Sequence, residues 1–340
     1  MKTKCLTQND IEKAAQILRE GGLLGIPTET VYGLGANGLD PEAVANIFRA
    51  KGRPQDNPLI LHIPDAAWLE RYCRNIPDTA YILAEKFWPG PMTMVLERRE
   101  LVPDVVTAKL ETVGMRCPAH ELCRAIIAAA DVPVAAPSGN TSGRPSPTNA
   151  RHMLEDMDGK IDAIIDGGAC QVGVESTIID LTCNPPRMLR PGGVTLEQLQ
   201  EILGEVEVDA AVIRLMEAGE QPKAPGMKYR HYAPKAPVTV VAGTADRSSR
   251  YIAEHAGPED GIICFDEFSQ LFAEDAGRMV KRIGSVNDKE EQARHIFDAL
   301  RAFDHSDVPA IWAQCPDTAG IGLAIANRLN KAAGFHIVEV

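Results

Sequence analysis

The sequence predicts an α/β fold in two domains, and three observations carry that expectation. The chain has 340 residues, more than one hydrophobic core usually serves. A segment crowded with prolines, at 222, 225, 234 and 237, breaks it. Beyond that break, apolar runs and helical periodicity alternate regularly, the pattern of a doubly wound parallel sheet.

Composition narrows the class. The apolar fraction is 45% and the charged fraction 24%, ordinary for a folded soluble protein and wrong for a disordered or fibrous chain. The formal charge of -12 argues against wrapping duplex nucleic acid, which is driven by neutralising phosphates, but leaves room for a local cationic pocket. The first residues lack the apolar stretch of a secretory signal. The longest apolar stretch, Ala125 to Pro137, is interrupted by Asp131 and Pro133 and falls short of the about 20 residues that span a bilayer. Eight scattered cysteines with no Cys-x-x-Cys pair read as reduced thiols, with neither disulfide frame nor zinc site. The expectation is a soluble, cytoplasmic protein with no membrane segment.

In chain order, the first domain (1–205) has a helix over Asp10–Arg19, stopped by Gly21-Gly22, and a strand over Leu23–Ile26. A helix over Pro41–Ala50 follows, with proline in its first turn. Further strands are expected at Leu59–Ile63, Met92–Leu96, Ile161–Asp166 and Thr177–Leu181, with helices at Thr79–Phe87 and Glu121–Ala129. Between 206 and 237 lies a proline-stiffened strap that carries Met227, Lys228, Tyr229, Arg230, His231 and Tyr232 in a row. It either closes over a ligand or docks its aromatics onto one domain. The second domain (238–340) reads as strands at Val238–Val241, Ile262–Phe265, Ala310–Ala313 and His336–Val340, with a further one at Met279–Ile283. Its helices are expected at Arg247–His255, Lys289–Phe303 and Ile321–Ala333, and it has the character of an accessory domain.

Several segments bear on chemistry. Gly33-Leu-Gly35-Ala-Asn-Gly38 matches G-x-G-x-x-G, the only feature favouring a nicotinamide oxidoreductase. Its helix starts too late for a dinucleotide fingerprint, so a turn is expected. Walker, G-x-S-x-G and H-E-x-x-H patterns are missing, which removes the commonest templates. Lys51-Gly-Arg53-Pro-Gln-Asp-Asn57-Pro58 places two cations in a proline-stiffened loop after a helix, either as a C-cap or as an anion grip. Ala135 to Ser146 is dense in small hydroxyl and amide side chains, an ordinary polar turn unless its N–H groups cradle phosphate. Arg116 and Arg190 each end an apolar run before a bend. Lys51, Arg53, Arg116, Arg190, Lys228 and Arg230 thus all fall in Gly/Pro-stiffened segments at element ends, where open α/β sheets bind ligands. Together they predict a polyanionic small ligand such as a nucleoside triphosphate.

Pro27-Thr-Glu-Thr-Val-Tyr-Gly-Leu-Gly35, Lys51-Gly-Arg53-Pro-x-x-Asn57-Pro-Leu, Trp88-Pro-Gly-Pro91, Pro137-Ser-Gly-Asn140 and Glu175-Ser-Thr177 resemble the YrdC-type domain. The strap Pro225-Gly-Met-Lys-Tyr-Arg-His-Tyr-Ala-Pro234 and the second α/β domain resemble its longer members, the L-threonylcarbamoyladenylate synthases. The resemblance implies a YrdC-like mixed sheet followed by a smaller Rossmann-like accessory domain. It implies a nucleotidyltransferase that combines L-threonine, bicarbonate or CO2, and ATP with Mg2+ or Mn2+. The products are threonylcarbamoyl-AMP and pyrophosphate, the former used by tRNA-modifying proteins beside the anticodon. Lys51, Arg53, Ser138 and Asn140 match the family's paired catalytic motifs. Arg53, Asn57, Thr112, Ser138, Ser146, Arg190 and Tyr232 would line ATP. Thr30, His62, Arg116, Ala136 and Ser176 would line threonine, with His62 a candidate for proton transfer. Glu175 and Asp180 are candidates to assist a metal whose ligands the sequence leaves open. The alternative is an RNA-binding module of the same fold, disfavoured by the acidic total.

Overall fold

The computed structural model describes residues 2–340 except 215, 217–219, 228–230 and 274–277; Lys228, Tyr229 and Arg230 of the strap therefore lie outside the described residues. The first sheet is built from β1 (Lys4–Leu6), β2 (Leu24–Ile26), β3 (Gly33–Asn37), β4 (Ile60–His62), β5 (Met92–Glu97), β6 (Thr112–Arg116), β7 (Val134–Ala135), β8 (Ala163–Ile165), β9 (Thr177–Asp180), β10 (Arg187–Arg190) and β11 (Glu207–Val208). Their order is β1-β8-β2-β3-β7-β4-β6-β5-β9-β10-β11. Parallel pairs such as β4 with β6 occur beside antiparallel ones such as β5 with β6, so the sheet is mixed. β11 lies past residue 205 and pairs parallel with β10, so the first sheet runs into the strap's expected span. Two residues of main-chain pairing leave no side-chain periodicity for sequence reading to detect.

Helix Pro41–Lys51 shows how the local code places the site. Asp40 caps it, accepting from the amides of Glu42 and Ala43 at 2.9 and 3.2 Å, and Gly52 ends it in the left-handed region at φ 62, where glycine carries no Cβ penalty. Its buried face is Ala43, Val44, Ile47, Phe48 and Lys51. Lys51 falls three and four residues after the two largest of these, so helical periodicity carries its side chain inward.

The glycine-rich stretch expected to be a turn is the strand β3, paired antiparallel with β2. A Cβ on Gly35 would meet Val134 Cγ1 at 2.9 Å, and one on Gly38 would meet Leu61 Cδ2 at 2.5 Å. Close packing across strands explains these glycines, and no dinucleotide fingerprint is present, since a strand rather than a phosphate-binding turn occupies the motif.

The second sheet has β12 (Val238–Ala242), β13 (Gly261–Cys264), β14 (Val280–Arg282), β15 (Ile311–Gln314) and β16 (Ile337–Glu339) in the order β14-β13-β15-β12-β16, with every neighbouring pair parallel. Val240 packs into one cluster with Phe297, Leu300, Ile325 and Leu329, and Val241 into another with Ile252 and Phe272. Alternation along the strand thus puts helices on both faces. The first of these clusters also takes in Val31, Val174 and Tyr232, so helices Lys289–Ala302 and Gly322–Ala332 press the second domain onto the first at the site. Among the described residues no helix is long and apolar enough to cross a membrane.

Candidate active site

A small, partly enclosed cavity lies where β4, β6, β9 and β10 meet the strap. Arg53, Arg116 and Arg190 line it together with His62, Ala136, Ser138, Ser176 and Tyr232, and its volume is about 50 Å³. The chain thus gathers predicted residues from seven separate segments, because the C-terminal ends of β4 (His62), β6 (Arg116) and β10 (Arg190) point to one place.

At one end, Arg116 is 4% exposed. Its Nη2 donates to Glu29 Oε1 at 2.8 Å and to Thr30 Oγ1 at 2.9 Å, while its buried Nε has no partner. His62 is buried beside it with Nδ1 unpartnered. Burial, reinforced by the Arg116 charge, pushes its pKa down to about 3, so the ring is neutral near pH 7 and a weak proton acceptor. The Ala136 amide donates to the carbonyl of Ile60 at 3.0 Å. Ser176 Oγ lies 2.8 Å from Thr93 Oγ1.

At the other end Arg190 donates from Nε to the Ser176 carbonyl at 3.1 Å, from Nη2 to Ser176 Oγ at 3.2 Å, and from Nη1 to the Pro225 carbonyl at 3.2 Å. Burial lowers its pKa to about 10, still charged at neutral pH. Tyr232 is buried at φ 65. Ser146 Oγ donates to Glu175 Oε1.

Lys51 sits behind this wall. Its Nζ donates to the carbonyls of Ser138 and Asn140, tying the helix C-terminus to the 138–146 loop. Burial, then the nearby Arg53 charge, lowers its pKa well below the usual lysine value. Asn140 Nδ2 donates to the carbonyls of Thr141 and Arg144 at 2.9 and 2.8 Å, and its buried Oδ1 has no partner. Arg53 donates to the Asn57 carbonyl at 3.2 Å. Both amide atoms of the fully buried Asn57 are unpartnered. Buried polar atoms are almost always satisfied; atoms of Asn57, His62, Arg116 and Asn140 are among the buried ones with no partner within the chain.

Thr112 is not brought to this cavity. It opens β6 opposite Glu97 of β5, and neither it nor Asn57 is among the residues lining the cavity. Glu175 and Asp180 do not make a metal site. Glu175 pairs with Arg328 at 2.7 Å and Asp180 with Lys223 at 3.1 Å. Among the described residues no group of three His, Cys, Asp or Glu side chains is arranged to hold a metal ion.

Sequence reasoning missed Glu29, which fixes Arg116, and assigned no role to Arg328 or Lys331 of the second domain. Glu29 lies inside a motif that was noticed, but nothing in the sequence pairs it with a residue 87 positions away. Arg328 and Lys331 stand four and seven residues after Ala324 on a helix, a spacing that marks a buried face only once its partner is known.

Fold and site define a two-domain α/β enzyme of the kind that handles an anionic small substrate at the C-terminal ends of its strands. Residues 16–192 match the family described as telomere recombination, and residues 194–334 the family described as threonylcarbamoyl-AMP synthase, C-terminal domain. The chain is 48% identical over 336 residues to a threonylcarbamoyl-AMP synthase of Pyrococcus abyssi, covering 97% of this chain and 96% of that protein. It is 44% identical over 340 residues to that of Bacillus subtilis, covering 98% and 96%. It superposes on P. abyssi Sua5 complexed with L-threonine with a TM-score of 0.92 at 46% identity, over all of both chains. The chain belongs to the threonylcarbamoyl-AMP synthase family.

Proposed function

We propose that this chain makes threonylcarbamoyl-AMP from L-threonine, bicarbonate and ATP, releasing pyrophosphate and water. The threonine amine adds to the carbon of bicarbonate, whose C–OH bond breaks as water leaves with an amine proton, or to CO2 with loss of that proton, and the N–C bond of the carbamate is formed. A carbamate oxygen then attacks the α-phosphorus, and the bond to the β-phosphate oxygen breaks. The observation that carries this reading is the convergence of Arg53, Arg116 and Arg190 on one small, partly enclosed cavity. A triphosphate, a bicarbonate-derived group and a carboxylate repel one another, and fixed guanidinium groups in a water-poor site offset that repulsion and stabilise the charge in transfer.

Arg116, held by Glu29, would take the threonine carboxylate, with Thr30, His62, Ala136 and Ser176 around it. Arg53, Ser138, Ser146, Arg190 and Tyr232 would take the nucleotide, extended toward Asn57 and Thr112. Lys51 and Asn140 act on the 138–146 loop, Lys51 by gripping its carbonyls. A divalent cation, magnesium or manganese, would arrive on the phosphate oxygens of ATP and neutralise part of their charge. A cavity of about 50 Å³ is far smaller than ligand sites of about 300–1,000 Å³, so part of its wall would have to move for ATP to enter. The strap, which supplies Pro225, Gly226, His231 and Tyr232 to the lining, would be that part and would return to exclude water from the labile carbamate and anhydride. The product would pass to proteins that modify tRNA, in the cytoplasm. The catalytic unit would be residues 1–205, the strap 206–237 and the accessory domain 238–340.

Pyrophosphate release from ATP, magnesium and bicarbonate, with and without L-threonine, tests the reading. Release that needs both threonine and bicarbonate, and falls by about 100-fold in Lys51→Ala as the loop it holds shifts, is expected. Release indifferent to threonine overturns the substrate assignment.

A further inference from the structure

Helix Gly322–Ala332 of the second domain sends one fully buried guanidinium toward the site. Arg328 Nε donates to Glu175 Oε2 at 2.7 Å and Nη2 to the Glu175 carbonyl at 3.4 Å. Nη1 donates to Asn327 Oδ1 at 2.9 Å, and the guanidinium carbon stands 5.6 Å from the centre of the Tyr232 ring. The other oxygen of Glu175 accepts from Ser146 Oγ. The next residue, Ser176, accepts from Arg190 at both its carbonyl and its hydroxyl. Ser146, Glu175, Ser176 and Arg190 therefore form one connected chain, anchored from the second domain.

We propose that Arg328 is a positioning residue for the nucleotide side of the site: it occupies Glu175, so that Ser146 keeps its orientation and Arg190 stays available to ATP.

A buried ion pair is a weak device for stability, since apolar side chains of similar volume usually serve as well. Its chemical consequence here is more specific. Glu175 is 5% exposed and lines the same cavity as Arg190. With Arg328 gone, Arg190 would be the strongest remaining cation acting on the buried carboxylate, ahead of Lys331 and Lys51, which also feel its charge. A buried charge deprived of its partner seeks the next cation. Pairing with Glu175 would withdraw Arg190 from the triphosphate. The second domain is on this view part of the nucleotide site and not merely attached to it.

The inference rests on the assignment of Ser146 and Arg190 to ATP. The test uses the full-length variants Arg328→Met, Arg328→Lys, Glu175→Gln, Glu175→Gln/Arg328→Met and Arg190→Met. KM for ATP is read by pyrophosphate release, threonine affinity by calorimetry without nucleotide, and folding by thermal melting. Arg328→Met is expected to raise KM for ATP by about ten-fold with threonine affinity within about two-fold. Arg328→Lys, which keeps the charge, is expected to restore most of the loss. In the Glu175→Gln background, Arg328→Met should change KM for ATP by less than about two-fold, because the group it acts through has lost its charge. That comparison also serves if the single Arg328→Met chain fails to fold. Equal losses toward ATP and threonine, no loss toward ATP, or a full loss on adding Arg328→Met to Glu175→Gln each overturn the inference. If Arg190→Met leaves KM for ATP unchanged, the nucleotide assignment fails and takes the inference with it. If Arg190→Met raises KM and Arg328→Met does not, the inference alone fails.

Discussion

Glu29 and Arg116 form a buried ion pair, 2.8 Å between Oε1 and Nη2, with both side chains about 6% exposed or less. Glu29 also accepts from the Ala119 amide at 3.0 Å, so the carboxylate is fixed at both oxygens. Glu29→Gln keeps an acceptor but removes the charge, leaving Arg116 buried without an anion. Breaking a buried pair costs about 3–5 kcal/mol, and the amide should hold the loss toward the lower figure. If Arg116 receives the threonine carboxylate, L-threonine supplies the missing anion and should raise the melting temperature of the variant more than that of the wild type. An equal or smaller ligand-induced shift in the variant contradicts that role for Arg116.

Lys331 donates to the main-chain oxygens of Gly226 and Met227 in the strap. Burial, then Arg328 and Arg190, lowers its pKa to about 7, against an ordinary value of about 10.4. Between these values the unfolded chain binds the proton and the folded chain does not, so this group makes stability rise with pH across that window. Its contribution is full above the unfolded value, is lost as pH falls toward 7, and is flat below. Lys331→Met should flatten that rise, read as the difference between wild-type and variant stability at pH 7 and pH 10. Parallel curves would contradict the assignment.

Asp156, fully buried, accepts from Arg144 Nη1 at 2.7 Å and Arg301 Nη2 at 2.6 Å. Arg301 also donates to the Pro145 carbonyl at 2.7 Å, which ties the second domain to the 138–146 loop. Asp156→Ala leaves Arg144 its second partner, Asp304 at 2.8 Å, but leaves the buried Arg301 with only Glu155 at 4.0 Å, and should destabilise the protein by about 3 kcal/mol, the lower end for a broken buried pair, measured by denaturant unfolding. A loss under about 1 kcal/mol, the figure for an exposed pair, would mean that the network does not bind the domains together.

All eight cysteines are free, and among them Cys5 is exposed. Burial pushes the thiols of Cys73, Cys117, Cys123, Cys264 and Cys315 up to about 12. Since the thiolate is the reactive form, iodoacetamide at pH 8 should modify Cys5 first in the folded protein and those five only on unfolding. Mass spectrometry showing any of the five labelled at the rate of Cys5 would argue against their burial.

Much of this protein is legible in its sequence where local rules act alone. Periodicity and a proline in the first turn marked the helix at Pro41–Ala50, which the structure extends to Lys51 and so buries a lysine expected in the following loop; the β/α alternation marked the parallel second sheet. Arg53, Arg116 and Arg190 could be picked out because cations in Gly/Pro-stiffened segments are locally unusual, and Ser176 only through the family motif that contains it. Local rules failed where the deciding contact is distant in the chain. Gly33 to Gly38 is a strand because β2 and β7 lie against it, and β11 exists because β10 offers it main-chain partners. Glu29 and Arg116, or Glu175 and Arg328, carry no sign of each other in sequence, since an ion pair depends on proximity and burial, both set by the fold. The sequence by itself determined which side chains were available for binding anions. Only the tertiary structure decided which of them face the cavity, which are neutralised behind it, and that the second domain holds one wall of the site in place.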